Sequence, residues 1–141
     1  MRKNKYLKIV ISTLLMSVTL FSFTGCSGSS GETDNSSKAT YEQITAQEAK
    51  ELMDTEKDYI ILDTRTEEEF SLGHIENAIV IPHDEIAQRA EDELSNKEQL
   101  ILVYCRSGNR SKQASQTLAD LGYTNVKEFG GIIDWEYGIV E

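Results

Sequence analysis

The sequence predicts an α/β fold built on a parallel sheet. Three observations carry this: strand-like and helix-like stretches alternate over residues 41–141, the strand-like runs are apolar throughout, and the helical stretches carry start and stop signals. In chain order, Thr45-x-x-Glu48 has capping-box spacing and predicts a helix over Ala46–Met53, with Ala49, Leu52 and Met53 on one face. Tyr59–Leu62 reads as a buried strand ending at Asp63. Thr66-x-x-Glu69 repeats the capping box for a short helix that Gly73 stops, and Glu67, Glu68 and Glu69 suit the positive end of its dipole. Ala78–Ile81 is a second buried strand, halted by Pro82, the only proline. Asp84–Leu94 places Ile86, Ala90 and Leu94 on one helical face. Leu100–Tyr104 is a third core strand, Ser111–Leu121 a helix with Gly122 at its C′ position, Asn125–Phe129 a last strand, and Gly131–Tyr137 a short terminal helix.

The N-terminal 40 residues read differently. Arg2, Lys3, Lys5 and Lys8 precede an uncharged, mostly apolar run of 15 residues, Ile9–Phe23. That is short for a membrane span, which takes about 20 apolar residues. A basic start, a short apolar stretch and small residues after it describe a secretory signal. Phe23-Thr24-Gly25-Cys26 resembles a bacterial lipobox, which implies a signal peptide over residues 1–25 and a lipid on Cys26. Residues 26–40, rich in Ser, Gly and Thr, cannot bury enough surface to offset ordering and are expected to be a flexible tether. The expectation is an extracytoplasmic domain, residues 41–141, held to the cell membrane by its lipid.

Without residues 1–25 the chain keeps 10 Lys+Arg (14 less 4) against 24 Asp+Glu, a formal charge of −14. A field of that sign repels nucleic acid, so no nucleic-acid partner is expected. Nothing in the pattern asks for more than a monomer. Two histidines and one cysteine in the domain give no metal-site pattern. With Cys26 lipidated, Cys105 is the only thiol left, and it has no in-chain partner for a disulfide.

Cys105 stands where an apolar strand ends and a helix begins, followed by Arg106, Ser107, Gly108, Asn109, Arg110 and Ser111. In an open parallel sheet, ligands bind at that end of the strands. Gly108 and Asn109 are the residues best able to take left-handed angles, and a tight loop of this kind turns several N–H groups toward one point. The following helix adds its own free N–H groups and dipole. Cys105 is therefore read as an ionised, reactive thiol, with the arginines attracting an anion toward it.

Cys105-Arg106-x-Gly108-x-Arg110-Ser111 resembles the active loop of rhodanese domains, the thiosulfate sulfurtransferase family. Asp63-Thr64-Arg65, Glu69-Phe70, Gly73-His74-Ile75-x-x-Ala78 with Ile81-Pro82, and Gly130-Gly131-Ile132 with Trp135 resemble that family's flanking segments in order, over about Ile44 to Gly138. Asn77 stands where the family often has glycine. The resemblance implies a three-layer fold: a parallel sheet of about five strands with helices on both faces. It also implies that Cys105 takes a sulfane sulfur from a small anionic donor such as thiosulfate, carries it as a persulfide, and gives it to a thiol or cyanide acceptor. Arg106 and Arg110 would hold the donor's oxygens. That chemistry needs no metal or organic cofactor.

Two other classes share parts of this pattern. Cysteine phosphatases and arsenate-reducing relatives use Cys-x5-Arg; here Cys105 to Arg110 is Cys-x4-Arg, and no aspartate is obviously placed as their general acid. The other is a non-catalytic, membrane-tethered binding or sulfur-carrier module; an inactive family member would usually lack the cysteine, so Cys105 argues for chemistry. Asp63 and Arg65 read as a supporting ion pair, His74 as a structural histidine, and His83 as a cap or surface group. Trp135 and Tyr137 read as packing, and Lys112 as either a surface lysine or an anion-steering one.

Overall fold

The computed structural model describes residues 39–141; the expected signal peptide over residues 1–25, the expected lipid on Cys26 and all but the last two residues of the expected tether lie outside them. The chain runs β1 (Glu42–Gln43), α1 (Ala46–Thr55), β2 (Tyr59–Asp63), α2 (Glu67–Ser71), β3 (Ile79–Val80), α3 (Ile86–Glu93), β4 (Leu100–Cys105), α4 (Asn109–Asp120) and β5 (Val126–Gly131). A single 3₁₀ turn, Ile132–Asp134, follows. All five strands pair in parallel in the order β1-β5-β4-β2-β3.

The apolar runs are continuous because β4 and its neighbours are covered on both faces. Ile101 and Val103 join Leu62 and Val126 under Ile86 and Ala90 of α3, Leu94 at its C-cap, and Ala114 and Leu118 of α4. Leu100, Leu102 and Tyr104 face the other way, with Ile61, Phe129 and Ala49 of α1. Each such side chain, fully removed from water, contributes about 1.5–3 kcal/mol. Both capping boxes form: Thr45 and Glu48, and Thr66 and Glu69, exchange side-chain and backbone bonds.

Several boundaries differ from the expected ones, each for a local reason. β1 is a two-residue edge strand with both residues exposed, too short to leave a period in the sequence. β3 keeps only Ile79 and Val80, and Ile79 is exposed at the sheet edge instead of buried. α3 begins at Ile86 instead of Asp84, after a turn in which the Glu85 amide donates to Pro82. α4 begins at Asn109, two residues before Ser111, because Gly108 takes φ +90° and turns the chain directly into the helix. The helix expected over Gly131–Tyr137 is replaced by the end of β5 and one 3₁₀ turn. Asn77, in the place the resemblance gives to glycine, takes φ +64°, a left-handed angle that asparagine tolerates better than most residues.

The sheet sets the carboxyl ends of β2, β4 and β5 side by side: Asp63 pairs with Tyr104, and Cys105 with Gly131 across a register shift after Val103. At that shift the backbones touch. A β-carbon on Gly131 would lie 2.3 Å from the Arg106 carbonyl and 2.6 Å from the Ser107 α-carbon. Gly131→Ala is therefore expected to push the loop after Cys105 away and to cost about 1–3 kcal/mol in denaturant unfolding; unchanged stability would show that the contact is not a constraint.

Candidate functional site

β4 delivers Cys105 to the end of the sheet, and the chain then turns through Arg106, Ser107 and Gly108 into α4. The Gly108 amide donates to Cys105 Sγ at 3.1 Å. Burial is the largest influence on the thiol and pushes its pKa up; hydrogen bonds from the Ser111 hydroxyl and from the amides of Ser111, Ser107 and Gly108 pull it down, and the balance falls below the ordinary thiol value. The helix therefore adds its first-turn N–H groups to those of the loop, as the sequence suggested. Cys105 sits deeper than a strand end implied: only 1% of it is exposed, because the turn folds over it.

Of the loop residues, Gly108 alone takes the left-handed angle; Asn109 is the first residue of α4. Arg106 is exposed, and its side chain makes no ion pair or hydrogen bond among the described residues, while its carbonyl accepts from the Ile133 amide at 3.3 Å. Arg110 does not hang free. Its guanidinium grips both carboxylate oxygens of Glu69, at 2.6 and 2.8 Å, although its charge still acts on Cys105. That pairing, first through the Arg110 hydrogen bonds and then against partial burial, lowers Glu69 to about 2. Glu69 thereby ties α2, through its capping box, to α4.

The Asp63–Arg65 pair is buried. Arg65 Nη2 meets Asp63 Oδ2 at 2.6 Å and also donates to the Gly73 carbonyl at 2.7 Å. The guanidinium is thus committed to Asp63 and to the α2–β3 connection, the supporting role expected of it. His74 stacks on Phe70, with ring centroids 3.8 Å apart, and its backbone pairs with Val140, which is a structural placement. His83 lies beside the exposed Asp84 at the surface. Trp135 packs on Phe129, whereas Tyr137 is about half exposed against the edge of Trp135. Lys112 is exposed. No cluster of three or more potential metal-ligating side chains forms among the described residues.

Two residues that sequence reasoning left aside belong to this site. One is Glu69. The other is Glu128 on β5, 2% exposed, whose Oε1 accepts the Ser111 hydroxyl at 2.6 Å and the Gly130 amide at 2.9 Å. The signal was a carboxylate two residues from Val126 in the strand Val126-Lys127-Glu128-Phe129, which puts it on the face of that apolar residue and opposite Lys127. Beside the loop, a cavity of about 460 Å³ is walled by Leu72, Ile132, Ile133, Trp135 and Ile139, with Arg106 and the Glu69 carboxylate among its polar groups.

A parallel sheet whose central strand ends in one cysteine facing the amides of the next turn defines an α/β domain with a thiol at the carboxyl ends of its strands. The chain belongs to the rhodanese-like domain family, whose model matches residues 45–137. It is 36% identical over 73 residues to thiosulfate sulfurtransferase PspE of Escherichia coli, covering 52% of this chain and 70% of that one. It is 34% identical over 113 residues to the tRNA uridine(34) hydroxylase of Photorhabdus laumondii, covering 77% of this chain and 32% of that longer protein. Among solved structures, a rhodanese with anions from E. coli is similar at TM-score 0.56 and 32% identity, over 59% of this chain and 98% of that one. A rhodanese-related protein from Thermoplasma volcanium is similar at TM-score 0.60 and 33% identity, over 71% and 98%. Sulfur transfer is thus the chemistry of the family to which the domain belongs, and the same domain also occurs inside proteins of other activity.

Linkage at Glu69 has a definite sign. A folded carboxylate lowered to about 2 from 4.5 contributes stability that is present above 4.5 and lost as pH falls toward 2. In acid denaturation, the protein is expected to lose stability relative to Glu69→Gln across that window; parallel curves would show that the Arg110 pair contributes nothing.

Proposed function

We propose that this protein is a sulfurtransferase in which Cys105 carries sulfur as a persulfide. The observation that supports this best is the amide cradle: Cys105 Sγ accepts from Gly108 at 3.1 Å, and its thiol is held below the ordinary value although it is buried. An inert core cysteine would be pushed the other way. The thiolate attacks the outer sulfur of a thiosulfate-like donor; the donor's S–S bond breaks, and its electron pair leaves with sulfite. Cys105 then bears the transferred sulfur, anionic and facing the same N–H groups. An acceptor thiolate or cyanide attacks that terminal sulfur, and the Cys105–S bond breaks to return the thiolate. Charge is conserved at each step, and no electrons enter from outside.

Arg106 is the cation available to the donor's oxygens in this scheme, since Arg110 is held by Glu69. Arg110 contributes its charge from that fixed position, together with the frame of the loop. The burial of Cys105 favours a donor that approaches end-on with its outer sulfur leading. The apolar walls of the neighbouring cavity suit an organic thiol better than cyanide, so a thiol is the preferred acceptor.

Intact mass spectrometry of the chain after thiosulfate treatment tests the reading. A gain of one sulfur atom is expected, mapped to Cys105 and removed by a thiol, and Cys105→Ser should abolish both the gain and thiosulfate-to-acceptor transfer. Transfer that survives in Cys105→Ser would refute the persulfide scheme.

A further inference from the structure

Glu128 has no part in the steps above, yet it is a buried carboxylate at the back of the loop. It lies on the β5 face that packs against α4, and its Oε1 stands 3.7 Å from where a β-carbon on Gly108 would be. Gly108 is the residue whose amide reaches Cys105 Sγ. The carboxylate and the sulfur therefore touch the same short turn. Between them stands Ser111, fully buried, whose hydroxyl has a single proton and two claimants for it: the sulfur, which it neighbours, and Glu128 Oε1 at 2.6 Å. An oxygen carrying formal charge at that distance is the stronger acceptor. Oε1 also takes the Gly130 amide, the double acceptance that suits a carboxylate.

We propose that Glu128 is a positioning residue that sets the reactivity of Cys105: it draws the Ser111 proton away from the sulfur, weakening that hydrogen bond, and adds a buried negative charge behind it. The sulfur is then ionised mainly by backbone amides, with the Ser111 hydroxyl a weakened donor. The consequence is chemical. A thiolate served by every donor in reach is abundant and weak, because nucleophilicity falls as basicity falls, with a Brønsted coefficient of about 0.4–0.5. Weakening one donor leaves Cys105 ionised while preserving its ability to attack a sulfane sulfur. The other groups that bear on this pair are few: Tyr41, ahead of β1, faces Glu128, and Arg110 on α4 faces Cys105 and Asp63. Lys127 points to the opposite side of β5, where it meets Glu42 and Glu48. This rests on reading Cys105 as the nucleophile, but its test does not use sulfur transfer, so the two stand or fall separately.

The experiment is the pH dependence of Cys105 alkylation by iodoacetamide, with folding checked by circular dichroism. Cys26 is changed to Ser throughout so that Cys105 is the only thiol. In Glu128→Gln the charge disappears and the Ser111 proton is released, so the midpoint should fall by about one pH unit. The rate on the high-pH plateau should fall about threefold with it. A disrupted site would not combine a lower midpoint with a slower plateau in a folded protein. Ser111→Ala should raise the midpoint by well under one pH unit, because that proton lies mostly with Glu128, and this second variant decides the matter if Glu128→Gln does not fold. An unchanged or raised midpoint in Glu128→Gln, or a rise of about one unit in Ser111→Ala, would overturn the proposal.

Discussion

The hydrogen bond from the Gly108 amide to Cys105 Sγ is the contact on which the site depends, and it exists only because two glycines permit it. Gly108 at φ +90° turns the chain so sharply that α4 begins on the next residue. Gly131 lets the end of β5 pass against Arg106 and Ser107 at a distance that excludes any β-carbon. Together they press the turn down over the sulfur, so the force that buries Cys105 also aims amides at it. Burial alone would keep the thiol protonated; burial beneath N–H groups favours the anion.

The charged side chains around the loop serve mainly as struts. Asp63 and Arg65, both buried, bind each other and the carbonyl of Gly73, fixing the connection after β2. Removing either partner of such a pair would strand the other, a cost of about 3–5 kcal/mol. Glu69 and Arg110 clamp α2 to α4 at the rim of the site, where water screens them more. With two arginines engaged in this way and a strongly acidic chain around them, Arg106 is left as the loop's unpaired guanidinium among the described residues. The attraction for an anion at the sulfur therefore comes chiefly from oriented backbone dipoles, with one exposed cation at the entrance.

Much of this was legible in the sequence. Parallel strands, both capping boxes, the strand-to-helix placement of Cys105 and the Asp63–Arg65 pair all follow from local patterns, because caps and continuous apolar runs are local physics. What escaped depended on distant partners. β1 is too short to show a period and is a strand only because β5 lies beside it. Arg110 looked free because Glu69 is 41 residues away in the chain. Glu128 drew no reading from the sequence, because its burial depends on α4 and its partner Ser111, at 2.6 Å, lies 17 residues away in the chain. The depth of Cys105 likewise depends on Gly131, which lies far along the chain and only in the fold meets the turn.

The claim that organises the whole is that backbone amides hold the Cys105 sulfur as an anion in spite of its burial. Carbon-13 NMR of the Cys105 β-carbon, followed across pH in the folded domain, reads that ionisation directly. A midpoint clearly below the ordinary thiol value of about 8.5 is expected. A midpoint at or above that value would mean that burial outweighs the amides, and the cradle would then have no chemical role.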